Sequence, residues 1–181
     1  RIILAIFIMT RTLIIIPSRM AATRLPGKPL LKINDLSIIS HVFKRGEEAN
    51  IGEVVVATED QEIFDDVLKN GGRAVLTNNK HKTGTDRVFE AYKKLEINGI
   101  DYILNLQGDE PDINKNDIIR LNTFMIDNQS DIGTLAAKIK DSLILDNKNI
   151  VKVITKNKLE NNNFPIALNF VRNNLSKTNK N

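Results

Sequence analysis

The chain has 181 residues, 41% apolar and 27% charged, which places it in the ordinary globular range with enough residues for one domain and one sizeable core. It contains no cysteine, which excludes disulfides and thiolate metal sites and gives no argument for an oxidising compartment, so a cytoplasmic protein is expected. The net charge of +4 is scattered among many asparagines rather than gathered into a dense basic block, so no nucleic-acid partner is expected.

Residues 1–8 (RIILAIFI) precede Met9, and the sequence from Met9, MTRTLIIIP, has the form of a natural start; residues 1–8 are therefore read as an upstream extension. This opening lacks a small-residue cleavage site. Its apolar run is broken at Thr10, Arg11 and Thr12 and falls short of a membrane span, so no membrane partner is expected.

From Thr12 onward, short β-branched runs alternate with segments of helical spacing, the pattern of an α/β fold with a mostly parallel sheet. Residues 13–16 (LIII) read as a buried central strand, followed by a loop carrying Pro17, Pro26, Gly27 and Pro29. Ile38, Ile39, Val42 and Phe43 then repeat at the spacing of a helix packed on one face. Residues 54–57 form the next strand, and Ile63, Phe64, Val67 and Leu68 the stripe of a helix terminated by Gly71 and Gly72. Residues 74–76 are a short third strand. Thr83 or Thr85 caps a helix with the stripe Val88, Phe89, Tyr92 and Leu95, ending near Gly99, and residues 102–106 are the fourth strand. After Pro111, Ile118, Leu121, Met125 and Ile126 mark another helix. Strands are expected at 132–137, 150–154 and 166–171, with a polar turn over 157–163.

In open α/β sheets ligands bind beyond the carboxyl ends of the strands, so the loops that follow strands carry the chemistry. The loop IPSRMAATRLPGKP brings Arg19, Arg24 and Lys28 close together in sequence. Guanidinium groups and backbone N–H donors of this kind suit a polyphosphate, although a solvated basic loop has the same composition. Neither GxGxxG nor GxxxxGK[ST] is present, so an anion grip here is of another type. The loop NLQGDEP presents Asp109 and Glu110 at the end of the fourth strand, either as a carboxylate for Mg²⁺ beside phosphate oxygens or as a turn before Pro111. The segment HKTGTDR offers His81, a base contact or a loop cap, and Thr83, Gly84 and Thr85 as donors at a helix start. Asp86 suits a first-turn helix charge.

Taken together and in order, IPSRMAATRLPGKPL, VVVATED, HKTGTDRV and NLQGDEP resemble the 3-deoxy-manno-octulosonate (Kdo) cytidylyltransferase family over residues 13 to about 172. The family pattern IPAR followed by STRLPGKPL differs here by Ser18 in place of alanine and at Ala22. The resemblance implies a Rossmann-like, doubly wound sheet of the nucleotide-diphospho-sugar transferase type. It also implies transfer of CMP from CTP to Kdo, giving CMP-Kdo and pyrophosphate for lipopolysaccharide biosynthesis. By matching positions, Arg19, Arg24 and Lys28 hold the triphosphate, with Arg19, Lys28 and Asp109 the catalytic set and Asp109 the Mg²⁺ ligand. His81, Thr83, Gly84 and Gln107 belong with the nucleotide, and Arg87 and Gln107 with the sugar acid.

DNKNIVKVI and ALNFVR match later family segments, but the stretch after them reads NNLSKTNKN. The family continues into a region with sugar-acid contacts, dimer contacts and a second metal-binding aspartate. Residues 9–181 are therefore read as a nucleotidyltransferase domain lacking its C-terminal part, inactive alone, with a homodimer expected for the full-length family. A cytidylyltransferase for 8-amino-Kdo and a non-catalytic nucleotide-binding remnant are the alternatives. The sialic-acid branch is disfavoured because its loop lacks TRLPGKP.

Overall fold

The computed structural model describes residues 10–21, 25–139, 141–160 and 163–172. Arg24 and the proposed extension 1–8 lie outside the described residues. The chain divides into two compact units, Arg1–Asp131 and Ile132–Asn181.

In the first unit, β1 (Thr12–Ser18) leads through a small hairpin, β2 (Lys32–Ile33) and β3 (Leu36–Ser37), to α1 (Ile38–Ala49). There follow β4 (Gly52–Thr58), α2 (Gln61–Lys69), β5 (Ala74–Leu76), α3 (Gly84–Leu95), β6 (Tyr102–Asn105) and α4 (Lys115–Asp127). The strands β1, β4, β5 and β6 form one parallel sheet in the order β5-β4-β1-β6. The chain winds from β1 through β4 to β5 on one side, then crosses back to place β6 on the other side of β1. This reversal is the topological switch point of a Rossmann-like, doubly wound sheet.

β1 is buried along its whole length because helices cover both faces of the sheet, which is why it reads as an unbroken apolar run. Alternation sorts its side chains. Ile14 and Ile16 pack with Ile39 and Val42 of α1, Ile63 and Val67 of α2 and Ile118 of α4, whereas Leu13 and Ile15 pack with Val88 and Ala91 of α3. Leu13, Ile14, Ile15 and Ile16 have no exposed surface, and each such burial is worth about 1.5–3 kcal/mol.

The helix ends have local causes. Ser37 caps α1 by accepting from the Ser40 N–H at 3.2 Å, and Thr83 caps α3 by accepting from the Asp86 N–H at 3.1 Å. α2 closes through Gly71, whose φ of +82° lets the Gly71 N–H donate to the Leu68 carbonyl and the Gly72 N–H to that of Val67. The β2–β3 hairpin, absent from the sequence reading, turns on Asn34 and Asp35, both with positive φ as a two-residue turn of this hand demands.

Three expectations in the first unit are corrected. Phe89 is 61% exposed, because α3 turns Arg87, Val88 and Ala91 inward and leaves Phe89 outside with the Lys93 ammonium 5.9 Å from its ring. α3 stops at Leu95 rather than near Gly99, since Glu96 takes the left-handed conformation with φ 50°. Leu68, expected in the stripe of α2, is half exposed.

The second unit contains α5 (Ser142–Asp146) and an antiparallel pair, β7 (Lys152–Thr155) and β8 (Ala167–Val171). The Lys152 ammonium is buried and donates to the carbonyls of Asn147 at 2.6 Å and Arg172 at 2.9 Å. Of the expected polar turn, residues 157–160 and 163 have no regular structure, with the Asn163 amide donating to the Lys158 carbonyl, and residues 161–162 lie outside the described residues. Residues 132–137, expected as a strand, have no regular structure, and Ile132 is 91% exposed. An apolar run becomes a strand only where a neighbour supplies the ladder, and no described strand pairs with it. Among the described residues no helix is long and apolar enough to cross a membrane.

Candidate functional site

The carboxyl ends of β1 and β6 and the start of α3 surround a cleft of about 330 Å³ in the first unit. The end of β1 contributes Pro17, Ser18 and Arg19, and the turn that follows its loop contributes Lys28 and Pro29. From the start of α3 come His81, Lys82, Thr83, Gly84 and Arg87, and from the loop after β6 come Gln107, Gly108 and Asp109. Eight of the nine residues given site roles by the family resemblance therefore share one cleft; Arg24 is the ninth and lies outside the described residues, while Thr85, Asp86 and Glu110 do not line it.

Two glycines allow the walls to close. A Cβ on Gly108 would stand 2.9 Å from the Pro17 carbonyl oxygen, so only glycine lets the loop after β6 cross the end of β1 so tightly. A Cβ on Gly84 would stand 3.3 Å from the Pro17 ring, which brings the first turn of α3 against the same strand end. The amino terminus of α3 thus borders the cleft with Thr83 and Gly84, where free N–H groups favour an anion. The Thr83 hydroxyl is itself engaged, donating to Asp86 Oδ2 at 2.7 Å.

Across the cleft, the Lys28 ammonium stands 3.1 Å from Asp109 Oδ2. Asp109 makes its contact with the basic loop rather than capping the turn, while Glu110 enters that turn through its backbone carbonyl, which accepts from the Ile113 N–H. The Lys28–Asp109 pair is open to solvent on one side, with the Asp109 side chain 63% exposed. Arg19 is exposed beside them. The Met20 N–H immediately after Arg19 donates to Asp60 Oδ2 at 2.8 Å, fixing the start of the basic loop to the end of β4.

Arg87 and His81 are held differently. The Arg87 guanidinium is buried, paired with Glu59 and donating to Thr77 Oγ1 at 2.6 Å, so it ties the ends of β4 and β5 to α3 beneath the cleft. His81 bonds through Nε2 to Glu90. Burial would raise the Glu90 carboxyl, but hydrogen bonds from Lys94, His81 and the Asn78 N–H outweigh it and hold its pKa down at about 2. Gln107 turns its amide onto Asn105 Oδ1 at 2.9 Å.

Lys82 lines the cleft and was not singled out from the sequence, although it sits inside the HKTGTDR segment. Glu59 and Asp60 were equally without an assigned role, although they close the VVVATED segment directly after a β-branched run. The cleft collects Arg19, Lys28 and Lys82 against the single carboxylate of Asp109, Arg87 being matched by Glu59 beneath it, a charge balance suited to a polyanion.

The family model described as cytidylyltransferase matches residues 13–175. The chain belongs to the cytidylyltransferase family. Among curated relatives, the 3-deoxy-manno-octulosonate cytidylyltransferase of Nitrobacter winogradskyi is 50% identical over 80% of this chain and 57% of its own length. That of Rhodopseudomonas palustris strain BisB18 is 49% identical over 80% of this chain and 60% of its own length. The chain thus spans somewhat under two thirds of the curated relatives it matches. A solved structure of CMP:2-keto-3-deoxy-manno-octonic acid synthetase complexed with CTP superposes with a TM-score of 0.77 at 33% identity, over 94% of this chain and 68% of that one. Membership of this cytidylyltransferase family agrees with the parallel sheet and its switch-point cleft.

Proposed function

We propose that this chain carries the nucleotide-binding side of an enzyme that transfers CMP from CTP to Kdo. The supporting observation is the cation-lined cleft at the switch point, where Lys28 and Asp109 meet across 81 residues of sequence, in a chain about half identical to Kdo cytidylyltransferases.

In this reading the anomeric hydroxyl of the sugar acid attacks the α-phosphorus of CTP. A new C–O–P bond forms as the bond from the α-phosphorus to the bridging oxygen breaks, pyrophosphate leaves with the electron pair, and the hydroxyl proton passes to solvent. Arg19 and Lys28 neutralise the triphosphate and the departing pyrophosphate, with Arg24 in the same role, and the N–H groups at Thr83 and Gly84 add donors. Gln107 and His81 border the nucleotide, and Gln107 with Arg87 the sugar acid.

The donor set fits Mg²⁺ in one manner. Asp109 is a single exposed carboxylate, and no group of three or more His, Asp or Glu that could hold a metal occurs among the described residues, which suits an ion that takes one protein carboxylate plus phosphate oxygens and water. Bound there, Mg²⁺ supplies charge neutralisation on the phosphates. The product is a precursor for lipopolysaccharide made in the cytoplasm, where CTP is available, and the full-length enzyme acts as a homodimer.

The test has two parts. Calorimetric titration with CTP, UTP, ATP and GTP, each with Mg²⁺, is expected to show binding of CTP in clear preference; equal affinity for all four would refute the cytidine assignment. Asp109→Asn in the enzyme is expected to lower CTP- and Kdo-dependent pyrophosphate release by roughly 10²–10³-fold with the melting temperature almost unchanged, because so exposed an ion pair adds little stability. Full release by the variant at ordinary Mg²⁺ sinks the metal assignment.

A further inference from the structure

Ser18 ends the central strand β1 and borders the cleft, yet its residue is only 6% exposed. Its hydroxyl oxygen is the one buried side-chain polar atom without a hydrogen-bond partner among the described residues. Its neighbours in the same layer are satisfied or apolar: Thr58, its register partner on β4, accepts from the Asp60 N–H through its hydroxyl at 3.1 Å.

A buried hydroxyl left unpaired is destabilising, and folded proteins rarely keep one without a use. Here it stands next to Arg19, at the strand end where the β5-to-β6 crossover opens the switch point. Serine has one rotatable side-chain bond, so its oxygen can be re-aimed among three staggered wells without moving the backbone. The hydroxyl can both donate and accept, so it suits a phosphate oxygen and a base or ribose group alike.

We infer that the Ser18 hydroxyl is a hydrogen-bonding contact to the bound nucleoside triphosphate. The inference rests on the reading of the cleft as a CTP site and adds to it a side chain that holds the nucleotide.

The experiment compares the chain with its Ser18→Ala variant by calorimetry against Mg²⁺-CTP, CMP and inorganic triphosphate, and by thermal melting without ligand. Ser18→Ala is expected to weaken CTP binding about three- to tenfold, the range for one neutral hydrogen bond. Its unliganded melting temperature is expected to be equal or higher, since an unsatisfied group has been removed. A loss shared with CMP assigns the contact to the nucleoside; a loss shared with inorganic triphosphate assigns it to the phosphates. Unchanged CTP affinity overturns the inference, and so does a lower melting temperature, which would mean that the hydroxyl is already bonded within the protein. If the unsubstituted chain fails to bind CTP, it is the reading of the cleft that fails, and the inference falls with it.

Discussion

Replacing Glu59 by Gln removes the counter-charge of a buried guanidinium while preserving shape. The Arg87 side chain is 3% exposed and that of Glu59 15%, so neither charge is screened by water as a surface pair is. After the substitution Arg87 keeps its bond to Thr77 Oγ1 at 2.6 Å but has lost its anion. Breaking one side of such a pair costs about 3–5 kcal/mol, and the amide oxygen that remains as acceptor points to the lower end. At about 2–4 °C per kcal/mol for a chain of this size, the melting temperature should fall by roughly 6–12 °C. Circular dichroism melts and urea titrations measure it. Adding Arg87→Met to the same protein removes the stranded charge and should recover most of the loss, because an apolar pair of similar volume is often neutral where an ion pair was buried. A melting temperature within about 2 °C of the parent for Glu59→Gln alone, or a double variant no better than the single, would refute the view of Arg87 as an anchor beneath the cleft.

Two further outcomes follow from the walls of the cleft. Gly108→Ala places a Cβ 2.9 Å from the Pro17 carbonyl oxygen, a backbone atom with little room to move, so it should cost about 1–3 kcal/mol and weaken CTP binding as the loop carrying Asp109 shifts; titration and urea unfolding on the same variant check both. Glu90, with its pKa lowered to about 2 from an ordinary 4.5, adds stability that is fully present above pH 4.5 and is lost as the pH falls from there toward 2. The difference in urea midpoint between the parent and Glu90→Gln should therefore shrink across that window, and a difference independent of pH would contradict the network of His81, Lys94 and Asn78 around it.

The sheet was legible because its signals are local. β1 is buried on both faces, so its identity is written in consecutive apolar residues, and the stripe of α1 follows from spacing alone. The cleft was legible because its chemistry sits in loops directly after strands, where Arg19, Lys28 and Asp109 stand out by charge. What escaped reading depends on distant partners. Periodicity places Phe89 and Val88 in one stripe and cannot say which edge of it faces water, and Arg87 at the opposite edge turns inward only because Glu59, 28 residues earlier, awaits it. Residues 132–137 have the composition of a strand, but pairing is not a local property. The β2–β3 hairpin is too short for any period to show, and its signal was the Asn34–Asp35 turn alone.

The unequal seams of the sheet have a kinetic meaning. β1 is laddered to β4 over seven residues but to β6 over only four, so β6 hangs on the shorter of the two seams that flank the central strand. A triphosphate that engages both Lys28 and the loop after β6 would act as a clasp over that short ladder. Nucleotide should then slow hydrogen exchange most at the amides of β6 and least in the β4–β5 half, making saturation with CTP a brake on the opening of one edge rather than a uniform tightening of the unit.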